Sequence, residues 1–340
     1  MLHQSRSLRL GVAKLLVVGA VLGVLVPAAD AHALRCPKGT RRARVVEKGA
    51  RVVLCRKRGG DGRWLRHGPL IARGRDGKLR GKGSYRNGKR HGPWKFWFRN
   101  SSDEGAYANG EKDGAWTTRI FAGGRHLEHW RRGRRDGLFV SWLGDERKVV
   151  EGQYKAGARA GPWRGWHADG RLRFQGTWRR NRPDGVLQRW HPNGQLASLQ
   201  HWLDGRLDGL EQTHHADGQL ASEGAWKAGR RVGPWRFFYE GGGVRAQGDY
   251  VDDRREGVWQ HRLGDGSRLR DETWRAGVLE GPWRRDDPVT RHSVSGVFRG
   301  GRRAGTWQER DPSGATLRSW TEPALALGAS VTPTSADPRG

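Results

Sequence analysis

A glycine followed two residues later by a large, mostly aromatic side chain returns at a near-constant interval along this chain. It stands at Gly68, Gly92, Gly114, Gly137, Gly161, Gly185, Gly209, Gly233, Gly257, Gly281 and Gly305, with spacings of 24, 22, 23 and then 24 seven times running. A register held that long makes the chain a tandem array. A unit of that length cannot bury a face alone, so it must stack on its neighbours.

The same chemistry returns inside each unit. Two residues after the glycine stand Trp94, Trp116, Phe139, Trp163, Trp235, Trp259, Trp283 and Trp307, with Leu70, Leu187 and Glu211 departing. A turn signal follows, as in Asp76-Gly77, Asp169-Gly170, Asn193-Gly194, Asp217-Gly218, Asp265-Gly266 and Ser313-Gly314. About seventeen residues after the first glycine an aromatic is always present, from Tyr85, Tyr107 and Trp130 to Trp274 and Phe298. A second glycine usually comes three residues later, as at Gly88, Gly133, Gly205 and Gly229.

Asn-Gly and Asp-Gly favour turns with positive φ. The segments between turns are six to eight residues, which suits strands and is too short for helices. By the two-residue period of a strand, Trp235, Phe237 and Tyr239 share one face, as do Leu220, Ser222, Gly224 and Trp226. Gly224 is read as leaving room for an indole from the neighbouring hairpin. The expected fold is all-β: an elongated solenoid of stacked antiparallel hairpins in a single twisted sheet.

Composition pulls two ways. A net charge of +29 and a low aliphatic content resemble a disordered chain. The 18 tryptophans argue for a packed aromatic core. Residues 321–340, rich in Pro, Ala, Ser and Thr, read as a disordered tail.

Residues 1–33 read as a signal peptide: basic Arg6, Arg9 and Lys14, an apolar run from Leu15 to Val26, and Ala31-His32-Ala33 before the cut. The apolar run is too short to favour a membrane span, so the mature chain is expected to have no transmembrane segment. Leu34-Arg35 before Cys36 makes a poor lipobox. Export to the periplasm, outer envelope or extracellular space is an oxidising destination. There Cys36 and Cys55 are expected to close a disulfide across the hairpin Val45-Val46, Lys48-Gly49-Ala50, Val52-Val53-Leu54. Residues 34–67 are the expected N-terminal cap and 68–320 the array.

Tyr85 through Gly88 and Gly92 to Trp94, and Gly161-Pro162-Trp163 with Asp169-Gly170 and Trp178, resemble the bacterial MORN-repeat-variant family. That resemblance implies a twisted antiparallel sheet and roles in scaffolding, membrane association or dimerisation. An antitoxin role, known for some members, fits poorly with an export signal.

No catalytic residues, metal ligands or cofactor are expected. His126-Leu127-Glu128-His129 places its histidines on opposite sides of a strand, and so does His214-His215. Asp271-Glu272 and Asp286-Asp287 read as turn or edge pairs without a shared cleft. The basic series Arg90, Arg134, Arg135, Arg159, Arg182, Arg206, Arg230, Arg231, Arg254, Arg255, Arg302 and Arg303 would form a cationic stripe along one edge, with one step per unit of ~10 Å. Two readings of it stand: edge protection, or a track for a polyanion. Trp97, Trp142, Trp166 and Trp190 would form a second aromatic line on the opposite face. Expected partners are an anionic envelope component (lipid head groups, lipopolysaccharide or an acidic polymer) or another protein. Nucleic acid is disfavoured by export. The alternatives are a carbohydrate or cell-wall-binding module using the exposed tryptophans, or a periplasmic interaction or immunity protein. The sequence leaves the oligomeric state open.

Overall fold

The computed structural model describes residues 34–144 and 146–322. The expected signal peptide and all but the first two residues of the expected tail lie outside them. Among the described residues there are 25 strands and no helix, hence no helix long and apolar enough to cross a membrane. Each strand pairs antiparallel with its neighbours in sequence, from Arg41–Glu47 to Thr316–Glu322, except that Lys89–Arg90 and Gly92–Trp97 both pair with Leu79–Arg86. The result is one open, elongated sheet of consecutive hairpins, as the periodicity predicts.

Two turns alternate along it. The tight turn closes on two residues: Leu203 pairs with Arg206 around Asp204-Gly205, whose φ angles are 49° and 84°. Both positive values mark a turn whose twist matches the strands it joins. The wider turn spans His167 to Arg171. There the His167 N–H donates to the Arg171 carbonyl at 2.8 Å, and Asp169 Oδ1 accepts the Arg171 N–H at 3.0 Å.

The recurring glycine has a third role. On strand Arg206–His214, Glu211 pairs with Gln200 and Leu207 pairs with Trp202, so Asp208-Gly209-Leu210 bulge out of the ladder. All eleven such glycines have positive φ, from 63° to 117°. The bulge demands a left-handed residue once per unit, and this demand fixes the period.

The core is a single aromatic face. All but one of the Trp residues two positions after the bulge glycine lie on bare glycine backbone of the preceding unit, as Trp163 does on Gly152 and Trp235 on Gly224, the exception being Trp283 opposite Glu272. The indole N–H of five of them donates to a carbonyl there, with Trp163 bonded to Gln153 at 3.1 Å and Trp235 to Ala225 at 3.2 Å. Tyr154 and Tyr250 meet Trp163 and Trp259 edge-on, with centroids 5.2 and 4.9 Å apart. Each such pair adds about 0.5–1.5 kcal/mol beyond its buried area. Trp163, Trp259 and Trp307 are thereby sealed from water within a one-layer sheet.

One facing expectation fails. Trp235 and Phe237 do share the aromatic face, stacked at 5.9 Å. Tyr239 does not continue their line. The register shifts between Phe237 and Phe238, and Tyr239 turns its hydroxyl to the Arg262 carbonyl at 2.9 Å.

Both ends of the sheet are closed. Cys36 and Cys55 form the expected disulfide, with Cα atoms 5.5 Å apart. It presses Pro37 onto Gly68, where an added Cβ would fall 2.7 Å from the proline ring. At the other end Trp320 stands in the position that elsewhere holds the receiving glycine. Its ring stacks on Trp307 at 6.4 Å and 28°.

Candidate functional site: the cationic edge and the two faces

The basic series divides by strand alternation. Arg90, Arg135, Arg159, Arg231, Arg255 and Arg303 turn onto the aromatic face. Their guanidinium carbons sit 5.1 Å from Trp94, 5.3 Å from Tyr154, 4.6 Å from Trp163, 4.0 Å from Tyr250, and 4.5 Å from both Trp259 and Trp307. Arg231 also donates to the Tyr250 hydroxyl at 2.9 Å and pairs with Asp253 at 2.9 Å. These six cover the core.

Arg134, Arg182, Arg206, Arg230, Arg254 and Arg302 point to the other face and are exposed. They occupy the last rung before the tight turn. Directly across five such rungs lies another cation: Arg86 faces Lys89, Arg131 faces Arg134, Arg179 faces Arg182, Lys227 faces Arg230, and Arg299 faces Arg302. Like charges so placed are destabilising, by up to about 1 kcal/mol per rung.

Acidic residues neutralise this edge only in part, and several of them also accept backbone N–H groups. Asp208 accepts the Ala228 N–H at 3.0 Å, Asp136 that of Ala156 at 3.1 Å, and Glu256 that of Ala276 at 2.7 Å. Each ties one unit to the tight turn of the next. The Ala228 N–H, aided by Lys227, holds the Asp208 carboxyl below the usual carboxylate range. Where the residue before the bulge glycine is Ala160 or Val232, the link reverses. Asn181 accepts the Arg159 N–H at 2.7 Å and Asp253 that of Arg231 at 3.2 Å. Arg179 and Lys227 reach carboxylates at 2.7 and 3.2 Å. Arg134, Arg182, Arg230 and Arg302 form no ion pair with a described carboxylate.

Trp97, Trp142, Trp166 and Trp190 are half-buried on the face opposite the core. Basic side chains lie over three of them: Lys95 at 5.7 Å from Trp97, Arg125 at 4.3 Å from Trp142, and Lys148 at 5.8 Å from Trp166. Their rings support long basic side chains.

The sequence reading missed three buried carboxylates. Asp271-Glu272 is not a turn or edge pair. It lies mid-strand in Arg268–Arg275, with Glu272 turned inward and buried. Glu128 and Glu272 take the glycine's place two residues before the aromatic, and each accepts an indole N–H, from Trp130 and Trp274, at 3.1 Å. Glu211 takes the tryptophan's place and accepts from Trp226 at 2.7 Å. The signal was present: a Glu in a slot otherwise kept for Gly or Trp. His126 stacks on Phe139 while His129 Nδ1 lies 3.1 Å from the Leu138 carbonyl, so the two histidines do not converge. Among the described residues no three His, Cys, Asp or Glu side chains are grouped to hold a metal.

No curated protein matches the chain. Two solved structures, the crystal structures of TcdB2-TccC3-TEV and of TcdB2-TccC3 without the hypervariable C-terminal region, are 10% identical to it, with TM-scores of 0.15 and 0.13. Each match covers 81% of this chain and 20% of the other, so this chain spans about a fifth of theirs. Scores that low bear on neither fold nor function. Residues 183–204 match the family model of the MORN repeat variant, and the array repeats that unit in register, consistent with a MORN-repeat-variant family.

Proposed function

We propose that this chain is an exported, non-enzymatic scaffold that binds an anionic component of the cell envelope, lipid head groups or lipopolysaccharide phosphates, along its outer cationic edge. One observation carries the reading. Five hairpins end on opposed cations although that pairing weakens each hairpin. Opposed cations along one edge suit phosphate groups, which Arg contacts in bidentate fashion. The disulfide fits an oxidising compartment.

The test uses vesicles of phosphatidylglycerol in phosphatidylcholine. Binding is expected to rise with anionic lipid and to fall steeply with salt, since exposed charges are screened over ~8–10 Å. Replacing Arg134, Arg182, Arg206, Arg230, Arg254 and Arg302 by Ser should remove most of it with the β spectrum unchanged. Undiminished binding by that variant overturns the reading and leaves the edge as protection against sheet association.

A further inference from the structure

The wall of rings and cations on the aromatic face is interrupted at two consecutive units. At the position where Arg or Lys covers the core, these carry Pro183 and Leu207. Leu279 also departs there, but Arg255 of the unit before covers the neighbouring Trp274 at 5.1 Å. Nothing equivalent covers Trp202: its ring meets no other described aromatic ring or cation, and its indole N–H is buried without a hydrogen-bond partner among the described residues.

The surrounding positions depart in the same direction. Where flanking units place Phe174 and Phe237, this stretch places Arg189, Ser198, Thr213 and Ser222. These polar groups form a connected set. Arg189 Nη1 donates to Gln200 Oε1 at 2.7 Å, and Gln200 Nε2 donates to Glu211 Oε1 at 2.5 Å. The hydroxyls of Thr213 and Ser222 lie 2.6 Å apart and, with Phe237, line a neighbouring concavity of about 390 Å³ that Arg189, Gln200 and Trp202 do not reach. The formal charges of Arg189 and Glu211 cancel, in a chain that is otherwise strongly cationic.

A repeat that breaks its own packing rule in two adjacent units, on one face, with mutually satisfied polar groups, marks a site and not drift. An amide–guanidinium chain ending on the exposed Arg189, beside a half-buried indole with an unpartnered N–H, matches a ligand that offers both donors and acceptors on a flat apolar frame. An anion is disfavoured, since Glu211 sits in the set. We infer that this notch, from Leu187 to Ser222 on the aromatic face, binds a neutral pyranose oligosaccharide, with Trp202 as the stacking ring and donor and with Arg189 and Gln200 as hydroxyl partners.

The site is separate from the cationic edge, and its test separates the two. The full chain is titrated calorimetrically with chitohexaose and with laminarihexaose in high salt, where edge binding is screened. One of the two is expected to bind. Arg189→Ala alters an exposed side chain and is expected to weaken binding about tenfold, equivalent to about 1.4 kcal/mol. Trp202→Phe, which keeps a ring and removes the donor, is expected to do the same. The outer-edge Ser variant should bind as the parent does. Absence of binding by both hexamers overturns the inference. So does binding that Arg189→Ala and Trp202→Phe, both with parental circular dichroism, leave unchanged.

Discussion

Gly224 lies beneath the indole of Trp235 so closely that an added Cβ would fall 2.1 Å from the ring. The same fit recurs between Gly152 and Trp163, and between Gly248 and Trp259. Gly224 has no positive φ, so its constraint is one of contact. Gly224→Ala must lift the indole and strain its bond to the Ala225 carbonyl. A loss of about 1–3 kcal/mol is expected, and of about 3–5 kcal/mol for Trp235→Ala. Because the two share one contact, the double variant should lose clearly less than the sum. Denaturant titration of all four proteins decides it; strict additivity would contradict the fit.

Glu272 should make the array sensitive to acid. Burial alone would raise its pKa, but His261 at 3.3 Å, Arg270 at 2.8 Å and the Trp274 indole together hold it below the ordinary 4.5. A carboxyl whose folded value is depressed stabilises the fold above its unfolded value, and that contribution is lost as pH falls through the folded value. Stability should therefore decline as pH drops below about 4.5. Glu272→Gln, which keeps the shape, should be less stable at neutral pH and flatter in its acid response. A parental acid profile in that variant would rule the account out.

The end of the array is closed by a side chain. Trp320 fills the receiving slot and stacks on Trp307. Trp320→Gly would restore the slot and leave strand Thr316–Glu322 as an edge able to accept an aromatic from another copy. Sedimentation should then show association that grows with concentration beyond the parent's. Identical sedimentation of variant and parent would show that the slot needs no plug.

The fold was legible because the residues that fix it answer to backbone geometry. A bulge and two turns recur along the chain and each requires positive φ, a demand that glycine meets in plain view at Gly185, Gly194 and Gly205. The packing of an indole on Gly224 was legible for the same reason: a missing Cβ implies a close neighbour. The functional division of the basic series was less visible, although its rule was available. Arg134 and Arg135 are adjacent in a strand, so they face opposite sides. A tally of cations hides this. The notch at Trp202 was hidden further, since it consists of residues missing from a pattern, at Pro183 and Leu207, and gains meaning only when the face is assembled.

Adjacent arginines with opposite duties give the sharpest contrast to measure. Arg231 stacks on Tyr250, donates to its hydroxyl and pairs with Asp253. Arg230, one residue earlier, is exposed opposite Lys227. Arg231→Ala loses a partly desolvated cation–π contact and a charged hydrogen bond, so a destabilisation of about 1–3 kcal/mol is expected. Arg230→Ala removes a repulsive rung and should leave stability unchanged or raise it by up to about 1 kcal/mol. Vesicle binding should respond in the reverse sense, falling for Arg230→Ala and persisting for Arg231→Ala in whatever fraction remains folded. Thermal melts and vesicle pelleting on the same two proteins read both quantities. If both substitutions destabilise alike and neither changes binding, the division of the ladder into cover and track is wrong.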